Sequence, residues 1–462
     1  MDNLFELIQK AESGDAEAQY NVAWHIVWAD ENESIDTDWL ERAVDYFERA
    51  IAQGHGDAML DLGAMYRVGR GVQRDMRKAF VLYNQAAAIL HPKAFRCLGY
   101  ALEIPVGYQD INDNSNDYKT AFGYFFKGAI LNEQNSTYKL GDMYFTGKYV
   151  EKDPQFAFNL YQESHHLIDS IEDDSYASVC LRIGECYCSG IGTTQDLDEA
   201  CYYLEKAEKG FQFRLERGDS PQFFMEGYNR AKYLSKRIKA NKISIVASIS
   251  DENIEYMTFI NSDMMNYPEP NYPIPELEKL KVENPEIEDY SFNDILAVAE
   301  SGAGVAMYTI AFYCFNRYAS EPDNKSIIDF ALYYYHKAVQ YGHKGAMYNL
   351  ASIYYHGDAG IVIDRYKAYF LYLYSDVYIA QGELGIYYAK GEVVEQDYEK
   401  AFMCFAKCAL SKENYCYGAL ENLAQMYRNG IYVEADDKFA EYLEKLSEKA
   451  EVNGTEEVYE QK

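Results

Sequence analysis

The sequence predicts an all-α protein, a solenoid of stacked helix-turn-helix repeats arranged in two blocks. Three observations predict it. A short motif, Leu-Gly-x-x-Tyr, recurs along the chain in steps of roughly 34 to 43 residues, the range of helix-hairpin solenoid repeats. Small and apolar residues around each copy follow the 3.6-residue helical period. The chain also aligns with itself, without gaps over about 60 residues, at a shift of 288.

The self-alignment is dense. Ala11-Glu12-Ser13-Gly14 falls on Ala299-Glu300-Ser301-Gly302, and Tyr20 falls on Tyr308. Gly54-His55 meets Gly342-His343, Ala58-Met59 meets Ala346-Met347, and Leu62 and Tyr66 meet Leu350 and Tyr354. The two ends of the chain therefore read as copies of one array.

One unit shows how a repeat folds. Ala58, Leu62 and Tyr66 form a stripe along a first helix. Ala58 and Gly63 are small enough for a second helix to approach closely. Gly69 and Gly71 end the helix and turn the chain, and Asp75 stands where an N-cap belongs. Ala79, Tyr83, Ala86 and Ala87 stripe the second helix. One such pair cannot bury its apolar face alone, so pairs stack. The motif core begins nine times, at Val22, Leu62, Leu98, Leu140, Ile183, Ile310, Leu350, Leu384 and Leu423.

The full pattern is Ala-x-x-x-Leu-Gly-x-x-Tyr-x-x-Gly, then Gly-Val-x-x-Asp, then Lys-Ala-x-x-x-Tyr-x-x-Ala-Ala. It resembles the Sel1-like repeat, a relative of the tetratricopeptide repeat. The unit from Ala58 to Ala87 matches almost throughout, and the unit from Ala380 to Ala409 matches well. The units at Val22, Leu98 and Ile310 match less closely and carry insertions. The resemblance covers most of the chain and implies a right-handed α/α superhelical solenoid.

Residues 241–290 interrupt the period. Pro268, Pro270, Pro273, Pro275 and Pro285 fall there, half of the ten prolines in the chain. The expected organisation is an N-terminal repeat block over 1–240 with about five repeats, a Pro-containing linker or strap over 241–290, and a C-terminal block over 291–462 with about four. The run from Pro268 to Pro275 has polyproline character and reads as a stiff spacer.

Composition narrows the functional classes. Lys plus Arg is 43 against 74 Asp plus Glu, a net charge of −31. Such a surface repels nucleic-acid phosphates and anionic lipid heads, so neither nucleic acid nor membrane is an expected partner. A basic protein or peptide is. Tyr numbers 46 against 23 Phe; tyrosine packs its ring and keeps its hydroxyl wet, which suits half-buried surfaces. No stretch approaches the ~20 apolar residues of a membrane span. The N-terminus shows no basic and apolar leader pattern, so the nine cysteines read as reduced thiols of a cytoplasmic protein.

No catalytic, metal or cofactor signature emerges. Asp30, Asn32, Ser34, Asp36, Asp38 and Glu41 have the spacing of a calcium loop, but Ile35 stands where the loop needs glycine. Asp110, Asn112 and Asn114 make a weaker version. Both read as solvated polar loops. Cys180, Cys186 and Cys188 fit no zinc spacing and read as small core residues. His165-His166 reads as helix surface. The glycine pairs at Gly69 and Gly71 and at Gly190 and Gly192 are repeat turns, with no Lys-Ser/Thr behind them to hold a phosphate.

The family resemblance supplies further expectations. Secreted cysteine-rich members carry a disulfide at the spacing of Cys408 and Cys416; here the pair occurs once, and two thiols are expected. Tetratricopeptide-like solenoids line a concave groove with first-helix positions two before and two, five and six after the motif leucine. In this sequence those positions hold Tyr20, Trp24 and Trp28, then Leu60 and Arg67, then Arg96, Tyr100 and Glu103. Tyr138, Asp142 and Phe145 follow, then Glu185. The second block contributes Tyr308, Phe312, Phe315, Tyr348, Tyr355, Gln425 and Arg428. About half are expected to be exposed.

The aromatic and acidic mixture suits hot spots for a partner segment. The expected function is a non-enzymatic protein-interaction scaffold or adaptor, including an immunity or inhibitor protein that masks a basic partner. One alternative is a hydrolase of the β-lactam-binding, cysteine-rich Sel1-like type. Another is a homo-oligomeric structural protein.

Overall fold

The structure is a computed structural model that describes residues 2–28, 37–103, 117–219, 221, 224–240, 292–320, 325–412 and 416–460. The expected linker over 241–290 and most of both polar loops fall outside these residues. The chain divides into two compact units, Met1–Ala247 and Ser248–Lys462, and each is described by itself.

The first unit opens with α1 (Asp2–Glu12), which packs on the first hairpin. Five hairpins follow. They are α2 (Ala16–Trp28) with α3 (Thr37–Ile51), α4 (Gly56–Val68) with α5 (Met76–Ala88), and α6 (Pro92–Glu103) with α7 (Tyr118–Ile130). Then come α8 (Gln134–Thr146) with α9 (Pro154–His166), and α10 (Tyr176–Ser189) with α11 (Leu197–Arg217). The helix α12 (Met225–Lys239) closes the stack by packing on both α10 and α11.

The second unit repeats the plan. A leading helix, α13 (Phe292–Glu300), is followed by α14 (Gly304–Ser320) with α15 (Lys325–Gln340), and by α16 (Lys344–His356) with α17 (Arg365–Ser375). The last two hairpins are α18 (Tyr378–Lys390) with α19 (Tyr398–Ser411), and α20 (Tyr417–Asn429) with α21 (Asp437–Glu460). Each of the nine motif starts sits in the first helix of a hairpin. The described residues form an all-α solenoid without a strand.

The local chemistry explains the repeat spacing. Gly69 caps α4 in the left-handed region at φ 80°, and Gly71 follows at φ 69°. Asp75 then caps α5, accepting from the backbone N–H groups of Arg77 and Lys78. Its own N–H donates to the carbonyl of Tyr66 at 2.9 Å. The same link ties Asp153 to Tyr144, Asp196 to Tyr187, Asp397 to Tyr388 and Asp436 to Tyr427. This short bond fixes the number of residues between motif tyrosine and capping aspartate. The second left-handed position is not always glycine. Tyr149, Val393 and Tyr432 occupy it at φ 71°, 68° and 66°, a strained conformation for a side chain.

Helix contact explains the motif glycine. A Cβ on Gly63 would lie 2.6 Å from the Tyr83 ring, and one on Gly141 would lie 2.6 Å from the Tyr161 ring. The missing side chain is therefore the socket for the second helix's ring. The core runs along these sockets. Tyr83, Tyr161, Tyr335, Tyr372 and Tyr387 are among the most deeply buried large side chains.

The 288-residue duplication is structural as well. His55 accepts from the Ala58 N–H through Nδ1 and caps α4, and its ring stacks on Tyr20 at 4.6 Å. His343 does the same for α16 through Ala346, with its ring 4.4 Å from Tyr308.

Candidate functional site

The first helices carry the candidate surface, and consecutive hairpins bring their motif positions together across sequence gaps of about one repeat. An unexpected relation recurs. In four places the residue two before the motif hydrophobe of one repeat lies near the residue one before that of the next. Tyr20 donates through its hydroxyl to Asp61 Oδ2 at 3.1 Å. The copy of that pair in the second unit is Asn349, whose Nδ2 lies 3.5 Å from the Tyr308 hydroxyl and 3.3 Å from that of Tyr335. In the same relation, Tyr138 neighbours Arg182 and Tyr348 neighbours Glu383. Asp61 and Arg182 in the first unit, and Asn349 and Glu383 in the second, are candidate functional positions that the groove pattern does not include. Their signal was present as a polar residue directly preceding the motif hydrophobe.

Charge at these positions is held under pressure. Burial pushes the Asp61 carboxyl up to about 6, with the Tyr20 hydrogen bond opposing. Arg182 is clamped: its Nε donates to Asp142 Oδ1 at 2.9 Å, and its Nη1 lies 3.2 Å from Glu185. Tyr161 donates to the same Asp142 oxygen at 2.9 Å. Burial raises the Tyr161 hydroxyl far above its ordinary range, and the neighbouring Asp142 charge adds to it. Arg230 also pairs with Glu185. Asp142, Glu185 and Arg182 thus form one network linking two consecutive hairpins, and Arg230 ties it to the closing helix α12.

The other positions are placed as follows. Trp24, Arg67, Phe312, Gln425 and Arg428 are exposed. Tyr20, Trp28, Arg96, Tyr100, Tyr138, Asp142, Phe145, Glu185, Tyr308, Phe315, Tyr348 and Tyr355 are only partly accessible. The expectation that half would be exposed is therefore corrected, because the aromatics lean on their own second helix or on the next repeat. Leu60 is corrected outright. It is buried at 8% exposure in a cluster with Ala94 and Leu98 of the next first helix, so it fills the seam rather than lining the groove. The side chain of Glu103 lies outside the described residues.

Several polar groups are already engaged. Arg96 lies 3.4 Å from Glu133, and Glu133 is buried because its carboxylate caps α8 through the Ser136 N–H. Arg428 donates to Glu444 at 2.7 Å. The Arg70 guanidinium sits 4.8 Å over the Trp28 ring. The Arg365 guanidinium is 5.7 Å from the Tyr355 ring, which also packs edge-on against Tyr387. Phe145 packs near Tyr161, Phe315 on Tyr335, and Phe312 against Tyr308.

Two clefts open on these faces. In the first unit, Arg96, Tyr100 and Tyr138 gather around a polar cleft of about 240 Å³ with Asn135, Ser178 and Arg214. In the second, Tyr348 borders a cleft of about 310 Å³ with Ile379, Glu383, Ile386 and Tyr417.

The remaining sequence readings also find their places. Cys180, Cys186 and Cys188 are buried. Burial pushes the Cys180 and Cys186 thiols up to about 12. The Cys408 and Cys416 sulfurs are 3.3 Å apart as thiols. His165 is not plain helix surface, for it sits half-buried between the rings of Tyr176 and Tyr203, while His166 is exposed. Among the described residues, no three His, Cys, Asp or Glu side chains converge as a metal site. No helix of the described residues is long and apolar enough to cross a membrane.

Comparison with known families matches the Sel1 repeat seven times, over residues 16–55, 56–88, 135–164, 177–209, 345–375, 379–411 and 418–445. The chain belongs to the Sel1 repeat family. The hairpins at Leu98 and Ile310 fold as Sel1-type pairs although they fall between the matched segments.

This Sel1 repeat chain is 40% identical over 67 residues to a Schizosaccharomyces pombe protein named "Putative ERAD-associated E3 ubiquitin-protein ligase component". That match spans 14% of this chain and 9% of the yeast protein. Among solved structures, it is similar to a protective antigen of uropathogenic Escherichia coli that displays an SLR fold. Identity there is 21%, coverage is 96% of this chain and 90% of the other, and the TM-score is 0.37. A Sel1 repeat protein from Oxalobacter formigenes is 22% identical over 45% of this chain and 84% of its own, with a TM-score of 0.35. An immunity protein from Pseudomonas aeruginosa is 20% identical over 52% and 87%, with a TM-score of 0.31.

Proposed function

We propose that this Sel1 repeat chain is a non-enzymatic scaffold that holds a partner protein or peptide on the faces of its first helices. The partner is basic, and the scaffold masks it in the manner of an immunity or inhibitor protein. The observation that carries the reading is a recessed carboxylate beside tyrosines on the first helices of each unit. Asp61 and Glu383 stand among tyrosines on the first helices, with burial raising both carboxyls. A net charge of −31 surrounds them. Aromatic anchors beside desolvated carboxylates are the composition of a hot spot for cationic side chains, and the wider acidic field steers a basic partner toward it. In this reading the cysteines are thiols and the encounter takes place in a reducing compartment such as the cytoplasm.

The test is affinity capture from host lysate at low and high salt, read by mass spectrometry. A basic protein retained at low salt and released at high salt is the expected result. Capture of only acidic or salt-insensitive partners refutes masking of a basic partner while leaving a scaffold. Capture of nothing at either salt refutes both.

A further inference from the structure

The cleft of the second unit collects features that the fold does not require. Glu383 lies on α18 directly before Leu384, and the cleft beside it has a volume of about 310 Å³. Among the described residues, no hydrogen bond or ion pair reaches its carboxylate. His356 and Lys390 act on it only through longer-range attraction, while burial acts the other way and raises its pKa. Arg182, which holds this motif position on α10, is by contrast fully engaged by Asp142 and Glu185. The carboxylate is only partly accessible, and no ion pair offsets the burial that raises its pKa.

The glycines of the cleft are also unforced. Gly385, three residues from the cleft's Gly382, is a packing glycine, since a Cβ there would lie 2.5 Å from the Phe405 ring. At Gly382 a Cβ would meet nothing closer than the Cys408 sulfur at 3.5 Å, and at Gly418 nothing within 4 Å. Gly382 sits inside α18, where alanine is the better residue, and Gly418 lies in the first turn of α20. Neither is needed for helix contact, yet both widen the same cleft. An unpaired carboxylate and two dispensable helical glycines in one place are local rules broken without structural gain, the signature of a binding site.

The walls say what enters. Tyr348 and Tyr417 line the cleft together with Ile379 and Ile386. Tyrosine faces attract cations, and apolar walls accept a methylene stem. One carboxylate is too few oxygens for a divalent metal ion. It is the right complement for one ammonium or guanidinium group.

We propose that this cleft seats a single lysine or arginine side chain of the partner, with its cationic head on Glu383 and its stem between Tyr348 and Tyr417. The assignment rests on the scaffold reading above and narrows it to one pocket and one residue class.

The experiment pans a random-peptide phage library on the full-length protein and on E383Q and G382A. The expected result is enrichment, on the wild type, of peptides that share Lys or Arg at one aligned position. Such a peptide should lose about tenfold or more in affinity when Glu383 becomes glutamine. It should lose a similar amount when its own Lys or Arg becomes glutamine, and little further when both changes are combined. G382A, which fills part of the cleft, should weaken the same peptides. The melting temperatures of both variants are expected at or above that of the wild type, which separates lost binding from lost folding. Enriched peptides that bind E383Q as well as the wild type overturn the pocket and leave the scaffold reading standing. Failure to enrich any peptide overturns the pocket too, and the lysate capture then decides separately on the scaffold.

Discussion

Replacing Asp61 by asparagine tests the physical account of the half-buried polar position before the motif hydrophobe. The second unit already holds the experiment's outcome in outline, because Asn349 is the duplicate of Asp61 and also meets the paired tyrosine, donating to Tyr308 where Asp61 accepts from Tyr20. Burial raises the Asp61 carboxyl from an ordinary 3.8 to about 6. Asp57 adds to that rise, and Lys93 and His55 oppose it. A raised carboxyl destabilises the fold only where it is ionised. The penalty is therefore absent below pH 3.8, grows as the pH climbs, and is complete above about 6. At about 1.4 kcal/mol per pH unit the displacement corresponds to roughly 3 kcal/mol. Partial solvent access reduces this to about 1–2 kcal/mol. The asparagine keeps an acceptor for the Tyr20 hydroxyl, but Phe47 stands where Tyr335 gives Asn349 its second partner, so part of the second unit's bonding is not reproduced. Urea unfolding of both proteins at pH 4 and pH 8 reads the difference. D61N should be more stable by about 1–2 kcal/mol at pH 8, a rise of a few degrees in melting temperature for a unit of this size. The gap should nearly vanish at pH 4. Equal shifts at both pH values, or a loss at pH 8, would refute the burial argument.

Three further outcomes follow from the same geometry. Arg182→Ala leaves Asp142 and Tyr161 without their cation and should cost about 2–3 kcal/mol, measured by chemical unfolding; a cost under about 0.5 kcal/mol would show the network to be ornamental. His343→Ala removes the cap of α16 and the stack on Tyr308, a loss of about 1–2 kcal/mol at pH 8. Because burial lowers the His343 pKa below 6.5, the wild type's advantage is present above that pH and fades as pH falls through it; melting curves at pH 8 and pH 5 check the trend. Val393→Gly relieves a β-branched residue at φ 68° and should stabilise by about 1 kcal/mol, against which the added chain entropy of glycine works. Unchanged or lower stability on melting would show that the turn is not strained.

The repeat architecture was legible because it is written locally. The Gly69 and Gly71 turn, the Asp75 cap and the Leu62-Gly63 stripe all act within one hairpin, where spacing alone decides what meets. The groove was only partly legible. Positions two before, one before and two after a motif leucine lie close together on a helix, and the period does not say which of them faces the next repeat. Leu60 therefore went to the seam, while Asp61, Arg182, Asn349 and Glu383 went unnoticed. Arg96 was named for the groove, but Glu133, 37 residues away, had already engaged it.

By itself the sequence determined the fold class, the nine hairpin starts, the duplication at 288 residues and the family. Each depends on contacts within a turn, a hairpin or its copy. Only the tertiary structure decided which polar side chains are satisfied and which are left alone. Asp142 finds Arg182 and Tyr20 finds Asp61 across 40 and 41 residues, whereas Glu383 finds no partner among the described residues. Those meetings are set by the angle at which one hairpin stacks on the next, a quantity summed over many packed side chains and written in no single motif.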